Sequence, residues 1–121
     1  ILDAPICIGR KQTWLIDHIA IGFSVVAFVD EEKTAISITQ YLDKVCRQLD
    51  LIETFLIVTS KRLNGMSGKL LCDTTGLAFE RWAASDGSIY LVRPDHHVAA
   101  RWKDTPTISE LKKACRKSIS L

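Results

Sequence analysis

The sequence predicts a mixed α/β domain in which helices flank a central sheet. Two near-continuous apolar runs, residues 23–29 and 55–59, have the β-branched and aromatic content of strands that are buried on both faces. Between them, apolar residues recur at spacings of three and four and so share one side of a helix: Ile38, Leu42, Val45, Cys46 and Leu49. This order predicts a parallel βαβ unit with a right-handed crossover, and a helix on each face of the sheet.

Local signals predict where the next elements begin and end. Ser37 and Gln40 have the spacing of a capping box, so we expect the first helix to begin there. Glycines in residues 63–69 predict a loop after the second strand. A helix entry at residues 73–76 then leads into a short helix over residues 77–84.

The C-terminal part of the chain predicts a hairpin and a closing helix. Two strand-like runs within residues 90–102 flank a Pro-Asp-His-His turn, in which proline restricts φ and aspartate accepts a backbone hydrogen bond. Thr107 and Glu110 form a second capping-box pattern just after Pro106. The helix that follows places four apolar residues on one face: Ile108, Leu111, Cys115 and Ile119.

Two segments resemble sequence patterns of one enzyme group. Residues 91–102 read LVRPDHHVAARW, which is similar to a signature near the C-terminus of FAD-dependent aromatic-ring monooxygenases, the phenol hydroxylase and hydroxyphenylpropionate hydroxylase group. Residues 14–28 read WLIDHIAIGFSVVAF and resemble that group's WLLDHLGxGFTLLxF pattern. The matches occur in the right order, and the resemblance covers nearly the whole chain, most weakly in residues 31–69.

The resemblance implies a fold, a parent protein and a partner. In those enzymes the region is a separate C-terminal domain with a thioredoxin-like fold, and the predicted order of elements agrees with that fold. FAD and NAD(P)H would act in the larger N-terminal flavin-binding part of the parent protein. That part would be the partner of this domain, and a second copy of the chain in a homo-oligomer is the alternative partner. No residue here would be catalytic, cofactor-binding or metal-binding. The hairpin signature would have a structural role: Arg93, Pro94, Asp95, Arg101 and Trp102.

Length, charge and glycine spacing limit the function further. The 121 residues, of which 47% are hydrophobic, suit one globular domain spanning residues 1–121. A net charge of +2 is too balanced for the basic surface that nucleic-acid binding needs. The longest apolar run, residues 19–29, is about half of the roughly 20 residues that a membrane-spanning helix requires. No Gly-x-Gly-x-x-Gly dinucleotide motif is present.

The N-terminus and the cysteines bear on origin and compartment. The chain begins without methionine and without the pattern of a signal peptide, which fits a piece of a longer protein. The cysteines are widely spaced, with no Cys-x-x-Cys and no metal-ligand rhythm. We expect them to be reduced and the protein to be cytoplasmic.

Thiol-redox chemistry on this fold would need a thiolate of low pKa at a helix N-terminus. The matching turn, residues 30–36, contains no cysteine. We expect Cys46 and Cys115 to pack on the apolar faces of their helices as small hydrophobic residues. Cys72, just before the helix entry, is the best candidate for a reactive thiol, and Cys7 stays open.

The remaining polar candidates are expected to be structural. We expect His96 and His97 to be a solvated pair at the turn. If both had strand geometry they would point to opposite faces, and no third ligand is visible, so we expect no metal site. Asp17 and His18 lack a nucleophile in a Gly-x-Ser-x-Gly motif, so we expect no catalytic triad.

The arginines and tryptophans are expected to stabilise the fold or an interface. Asp95 lies between Arg93 and Arg101, so an arginine–carboxylate contact should hold the turn, although an arginine pair that holds a phosphate is an alternative. The tryptophans should be core or interface anchors, and an exposed one in an apolar patch would mark a docking face: Trp14, Trp82 and Trp102.

The alternative function is a thiol-redox protein of the peroxiredoxin-like or thioredoxin-like type. The Asp73-x-x-Gly76 pattern before a helix and the late hairpin also resemble peroxiredoxins. The reactive cysteine is missing from its expected helix, which favours the non-catalytic reading. A stand-alone interaction module is a third reading and differs only in what precedes the domain.

Overall fold

The computed structural model describes residues 3–8, 10–19, 22–60 and 69–119. The strands within these residues are β1 (Pro5–Ile8), β2 (Lys11–Trp14), β3 (Phe23–Val29), β4 (Ile52–Thr59), β5 (Lys69–Cys72), β6 (Ile89–Val92) and β7 (Val98–Trp102). The helices are α1 (Glu32–Gln48), α2 (Leu77–Arg81) and α3 (Ile108–Ile119), and a 3-10 turn covers Leu15–His18.

The described strands form one mixed sheet in the order β2-β1-β5-β4-β3-β6-β7. β3 pairs in parallel with β4, and β4 pairs in parallel with β5, whereas the other neighbours are antiparallel. β3, α1 and β4 are the predicted βαβ unit, and β6 and β7 are the predicted hairpin. The predicted fold class is therefore confirmed.

Helices cover both faces of the sheet, as predicted. α1 and α3 pack on one face, where their buried residues include Ile38, Val45 and Leu111. α2 and the 3-10 turn pack on the other face through residues such as Trp82 and Leu15. Every residue of β3 is buried, because this strand lies in the interior of the sheet with a hydrophobic cluster on each side.

An aromatic cluster fills the core on the α2 side. The ring of Phe28 lies 5.1 Å from that of Phe79, 5.7 Å from that of Trp82 and 5.4 Å from that of Tyr90. The hydroxyl of Tyr90 donates a hydrogen bond of 2.5 Å to the backbone carbonyl of Trp82. This bond ties the end of α2 to β6, since Trp82 directly follows α2 and Tyr90 lies within β6.

Several boundaries differ from the predictions. α1 begins at Glu32 and not at Ser37, so the prediction of a capping box at Ser37 and Gln40 is wrong. α2 ends at Arg81, short of residue 84. The strands β1, β2 and β5 were not predicted, because each has only four residues and they lack a long apolar run. Of the predicted loop at 63–69, residues 63–68 lie outside the described residues, and Lys69 begins β5.

The capping box at the start of α3 is confirmed. The backbone N–H of Glu110 donates to the Thr107 hydroxyl at 3.1 Å, and the backbone N–H of Thr107 donates to the Glu110 carboxylate at 3.2 Å. The two residues thus satisfy helix-terminal groups reciprocally. Cys115 is fully buried on the apolar face of α3, also as predicted.

Two tyrosine hydroxyls provide a matched test of the core. Tyr90→Phe removes the hydrogen bond to Trp82 and should lower the free energy of unfolding by about 1 kcal/mol. The buried Tyr41 hydroxyl has no hydrogen-bond partner among the described residues, and burial, with Glu110 nearby, raises the pKa of Tyr41 to about 12. Tyr41→Phe should therefore leave stability unchanged or raise it.

Urea unfolding of both variants at neutral pH checks this difference. Equal losses in the two variants would contradict the assignment of the Tyr90 hydrogen bond.

Candidate functional site

The N-terminus of α1 is the position where thiol-redox chemistry on this fold would need a reactive cysteine. It follows β3 directly, and a helix N-terminus lowers the pKa of a thiol placed there. Residues 30–36 include no cysteine, and the first turn of α1 carries the carboxylate of Glu32 instead. The position that would carry a reactive thiol therefore has none.

A carboxylate from a distant loop occupies this N-terminus. Asp86, between α2 and β6, accepts hydrogen bonds from the backbone N–H groups of Asp30 at 2.6 Å and Glu31 at 3.1 Å. Its second oxygen accepts a hydrogen bond from the hydroxyl of Thr34. Asp86 thus binds the backbone of the two residues that precede α1, the second of which is the N-cap residue Glu31, and a side chain in the first turn of the helix.

The backbone next to Asp86 explains how the loop reaches the helix. Gly87 has a φ of +88°, a conformation that side chains with a Cβ rarely adopt, and its N–H donates to the carbonyl of Phe28 at 2.8 Å. This contact holds the loop against the end of β3, where α1 begins.

The lowered pKa of Asp86 agrees with a carboxylate that is held at the start of α1. Desolvation raises the pKa of Asp86, but the hydrogen bonds from Thr34, Asp30 and Glu31 outweigh it and hold the pKa below its usual value. The carboxylate therefore stays ionised, which the positive end of the helix dipole favours. A cavity of about 260 Å³ lies beside this cap and is lined in part by Lys33, Thr34 and Asp104.

The cysteines occupy four different elements, and all are free thiols. Burial raises the pKa of the Cys115 thiol, which agrees with its predicted packing role. The same prediction for Cys46 is wrong, because Cys46 is exposed. It follows Val45 by one residue, and one residue rotates a helix by about 100°, far enough to turn a side chain out of the apolar stripe.

Cys72 does not lie at a helix start. It ends β5, and α2 begins only at Leu77. The helix-terminus reasoning for its reactivity is therefore wrong. The structure instead places Cys72 directly opposite Cys7 of β1, a neighbour that the sequence did not reveal.

The tip of the β6–β7 hairpin is held by the expected type of contact. The guanidinium of Arg93 lies 2.8 Å from the carboxylate of Asp95, which also accepts a hydrogen bond from the backbone N–H of His97 at 3.2 Å. Desolvation raises the pKa of Asp95, but the His97 N–H and the Arg93 charge outweigh it and lower the pKa. His96 reverses the chain with a φ of +67°.

The other hairpin signature residues lie apart from this contact. Arg101 places its guanidinium 5.9 Å from the centre of the Tyr90 ring. Trp102 is partly buried and packs against the core on the α1 side, while Pro94 is exposed. The two arginines therefore have different partners.

The other sequence candidates show no catalytic arrangement. Asp17 and His18 lie in the 3-10 turn, where the His18 ring is 2.8 Å from the Thr13 hydroxyl. Within the ranges that the structure describes, no three His, Cys, Asp or Glu side chains are close enough to hold a metal ion. No described helix is long and apolar enough to cross a membrane.

Trp82 and Trp14 have opposite environments. Trp82 is 1% exposed and belongs to the aromatic cluster, whereas Trp14, on strand β2 at the edge of the described sheet, is 47% exposed. Trp82 is thus a core anchor. Trp14 lies at the surface and remains a candidate interface anchor.

Comparisons with known proteins show the fold. No protein-family model matches the chain, and no curated protein matches it. Among solved structures, it is similar to the exposed lipoprotein thioredoxin Etrx1 of Streptococcus pneumoniae, with a TM-score of 0.65, 11% identity and coverage of 96% of this chain and 99% of that one. The bacterioferritin comigratory protein of Xanthomonas campestris, described by its alkyl peroxide reduction activity, has a TM-score of 0.63, 15% identity and coverage of 98% and 90%.

A flavoprotein also contains this fold. Aklavinone-11 hydroxylase, solved with FAD and aklavinone, matches 98% of this chain with a TM-score of 0.69 and 17% identity. The match spans only 20% of the hydroxylase. The chain thus has a thioredoxin-like fold, whose neighbours include thiol-redox proteins and a part of a flavin-containing hydroxylase.

Asp86→Asn tests the cap on α1. Asparagine keeps the shape but has one acceptor oxygen and no charge, so we expect a loss of about 1 kcal/mol in unfolding free energy at neutral pH. Because the folded pKa of Asp86 is lowered, the carboxylate stabilises the protein above its ordinary pKa of 3.8. That stabilisation disappears as the pH falls through the lowered folded value.

The difference between the wild type and Asp86→Asn should therefore shrink at acid pH in urea titrations. Asp43→Asn, on the exposed side of α1, is the matched control and should change stability by less than about 0.5 kcal/mol. A pH-independent difference would exclude the carboxylate as the cap.

Proposed function

We propose that this chain is a non-catalytic C-terminal domain of an FAD-dependent aromatic hydroxylase that uses NAD(P)H and dioxygen. The observation that carries the proposal is the start of α1, where residues 30–36 provide no thiol and the Asp86 carboxylate binds the backbone N–H groups of Asp30 and Glu31. A thioredoxin-like domain built in this way lacks, at the start of this helix, the thiol that attacks a disulfide or a peroxide in thiol-redox enzymes.

Two further observations support this function. The hairpin sequence LVRPDHHVAARW and the segment WLIDHIAIGFSVVAF resemble the aromatic-ring monooxygenases. The similarity to aklavinone-11 hydroxylase extends over 98% of this chain but only a fifth of the enzyme, as expected for one domain of a larger flavoprotein. In this proposal FAD, NAD(P)H and the aromatic substrate bind to the N-terminal part of the parent enzyme.

The role of the domain would be to pack against the flavin-binding part or a second subunit. β2 ends the described sheet, and it exposes 47% of Trp14. Ile8, on the neighbouring strand β1, is 40% exposed. Trp14 pairs with Pro5 and Ile8 with Lys11, so the two side chains project from opposite faces, and the exposed Trp14 at the sheet edge is the one that suits an interface anchor.

The same reasoning predicts that the isolated chain neither binds flavin tightly nor turns over thiol substrates. A fluorescence titration with FAD should show no saturable stoichiometric binding. Insulin-reduction and alkyl-peroxide-reduction assays with dithiothreitol should give the rate of the buffer control. Stoichiometric FAD binding by these residues alone would contradict the assignment.

The second candidate is a thiol-redox enzyme, and a specific observation favours it. Etrx1 matches this chain over 99% of its own length, so the fold also occurs as a whole protein of that class. Thiol-dependent turnover that is lost in Cys72→Ser and kept in Cys46→Ser would establish this candidate. Exposed Cys46 serves as the matched control because it lies on α1, away from the strand that carries Cys72.

A further inference from the structure

Cys7 and Cys72 are neighbours across two antiparallel strands. They are register partners in the pairing of β1 with β5, although 64 residues lie between them in the sequence. Side chains directly opposite each other on paired strands project from the same face of the sheet. The fold thus brings together two free thiols that the chain keeps far apart.

The backbone hydrogen bonds identify the type of this pair. The N–H of Asp73 donates to the carbonyl of Thr59 on β4 at 2.7 Å, so the backbone groups of the preceding residue, Cys72, point the other way, toward β1. The N–H of Leu15 donates to the carbonyl of Ala4, so by alternation the backbone groups of Cys7 point toward β5. The cysteines are therefore a hydrogen-bonded pair.

This geometry suits a covalent link. The Cα atoms of a hydrogen-bonded antiparallel pair lie about 5.5 Å apart. Disulfides most often span about 5.5–6 Å between Cα atoms, so the sulfurs can reach each other with little backbone movement. The Cβ atoms of such a pair are farther apart than in most disulfides, and strain of this kind makes a disulfide easier to reduce.

The surroundings leave the pair open to small reagents. Both cysteines are partly exposed, and the Cys7 sulfur lies 3.8 Å from the Thr74 hydroxyl. The Thr74 hydroxyl is thus available as a hydrogen-bond donor to a Cys7 thiolate, the form that attacks a disulfide.

We propose that Cys7 and Cys72 are a reversible dithiol–disulfide site that exchanges with small disulfides of the glutathione class. One thiolate attacks the small disulfide, forms a mixed disulfide and releases one small thiol. The second thiolate then attacks the cysteine sulfur of the mixed disulfide, the Cys7–Cys72 bond forms, and a second small thiol leaves. The pair loses two electrons and two protons, and the small disulfide is reduced.

The reaction links β1 to β5 without using the N-terminus of α1. It consumes one small disulfide per chain and uses neither FAD nor a thiol at the start of α1, so it is compatible with the proposed function. A titration that shows no binding of FAD would neither support nor weaken the proposed cysteine site.

Equilibration of the reduced chain in glutathione buffers tests the proposal. After acid quenching and alkylation, mass spectrometry should show Cys7 and Cys72 protected together, in a species two hydrogens lighter whose peptides are joined. The internal disulfide should exceed glutathione adducts at these positions by at least about tenfold, because the facing thiol acts at high effective concentration. Exposed Cys46 should carry only a glutathione adduct.

Single variants sharpen the test. Cys7→Ser and Cys72→Ser should each leave the remaining cysteine as a glutathione adduct, while Cys46→Ser should keep the internal disulfide. Independent glutathione adducts at Cys7 and Cys72 in the wild-type chain would overturn the proposal, as would a disulfide that joins either one to Cys46 or Cys115. The wild-type peptide map decides the question even if a variant fails to fold.

Discussion

The complete burial of β3 is the constraint on which the other elements depend. Its seven residues lie between β4 and β6 and contact hydrophobic clusters on both faces of the sheet. Such a strand cannot be exposed without losing apolar contacts on two sides, so α1 must cover one face and α2 the other. The aromatic cluster around Phe28 shows the same constraint at the level of one side chain, since that ring contacts three others.

The start of α1 is held by a carboxylate from a distant loop. A helix that follows a buried strand presents unpaired N–H groups at the edge of the sheet, and these need an acceptor. Here the acceptor is a carboxylate from the loop before β6, held in place by Gly87. The N–H groups of Asp30 and Glu31 are therefore occupied by Asp86.

The cysteines show which predictions depend on residues close in the chain and which depend on distant segments. Burial of Cys115 followed from its position in a regular apolar stripe, and the structure confirms it. Cys46 was assigned to a stripe by the same reasoning, but residues 45 and 46 cannot both face the core, and Val45 is the buried one. The pairing of Cys7 with Cys72 could not be predicted from the sequence, because it requires β1 and β5 to be neighbouring strands.

The βαβ unit, the hairpin, the closing helix and its capping box could all be predicted from the amino-acid sequence. These features depend on hydrophobic periodicity and on contacts between residues close in the chain, which a sequence pattern shows directly. The strands β1, β2 and β5, the contact of Asp86 with the start of α1 and the pairing of Cys7 with Cys72 became apparent only in the folded chain. Each of these requires segments tens of residues apart to be adjacent, and that adjacency arises only when both faces of the sheet are buried at once.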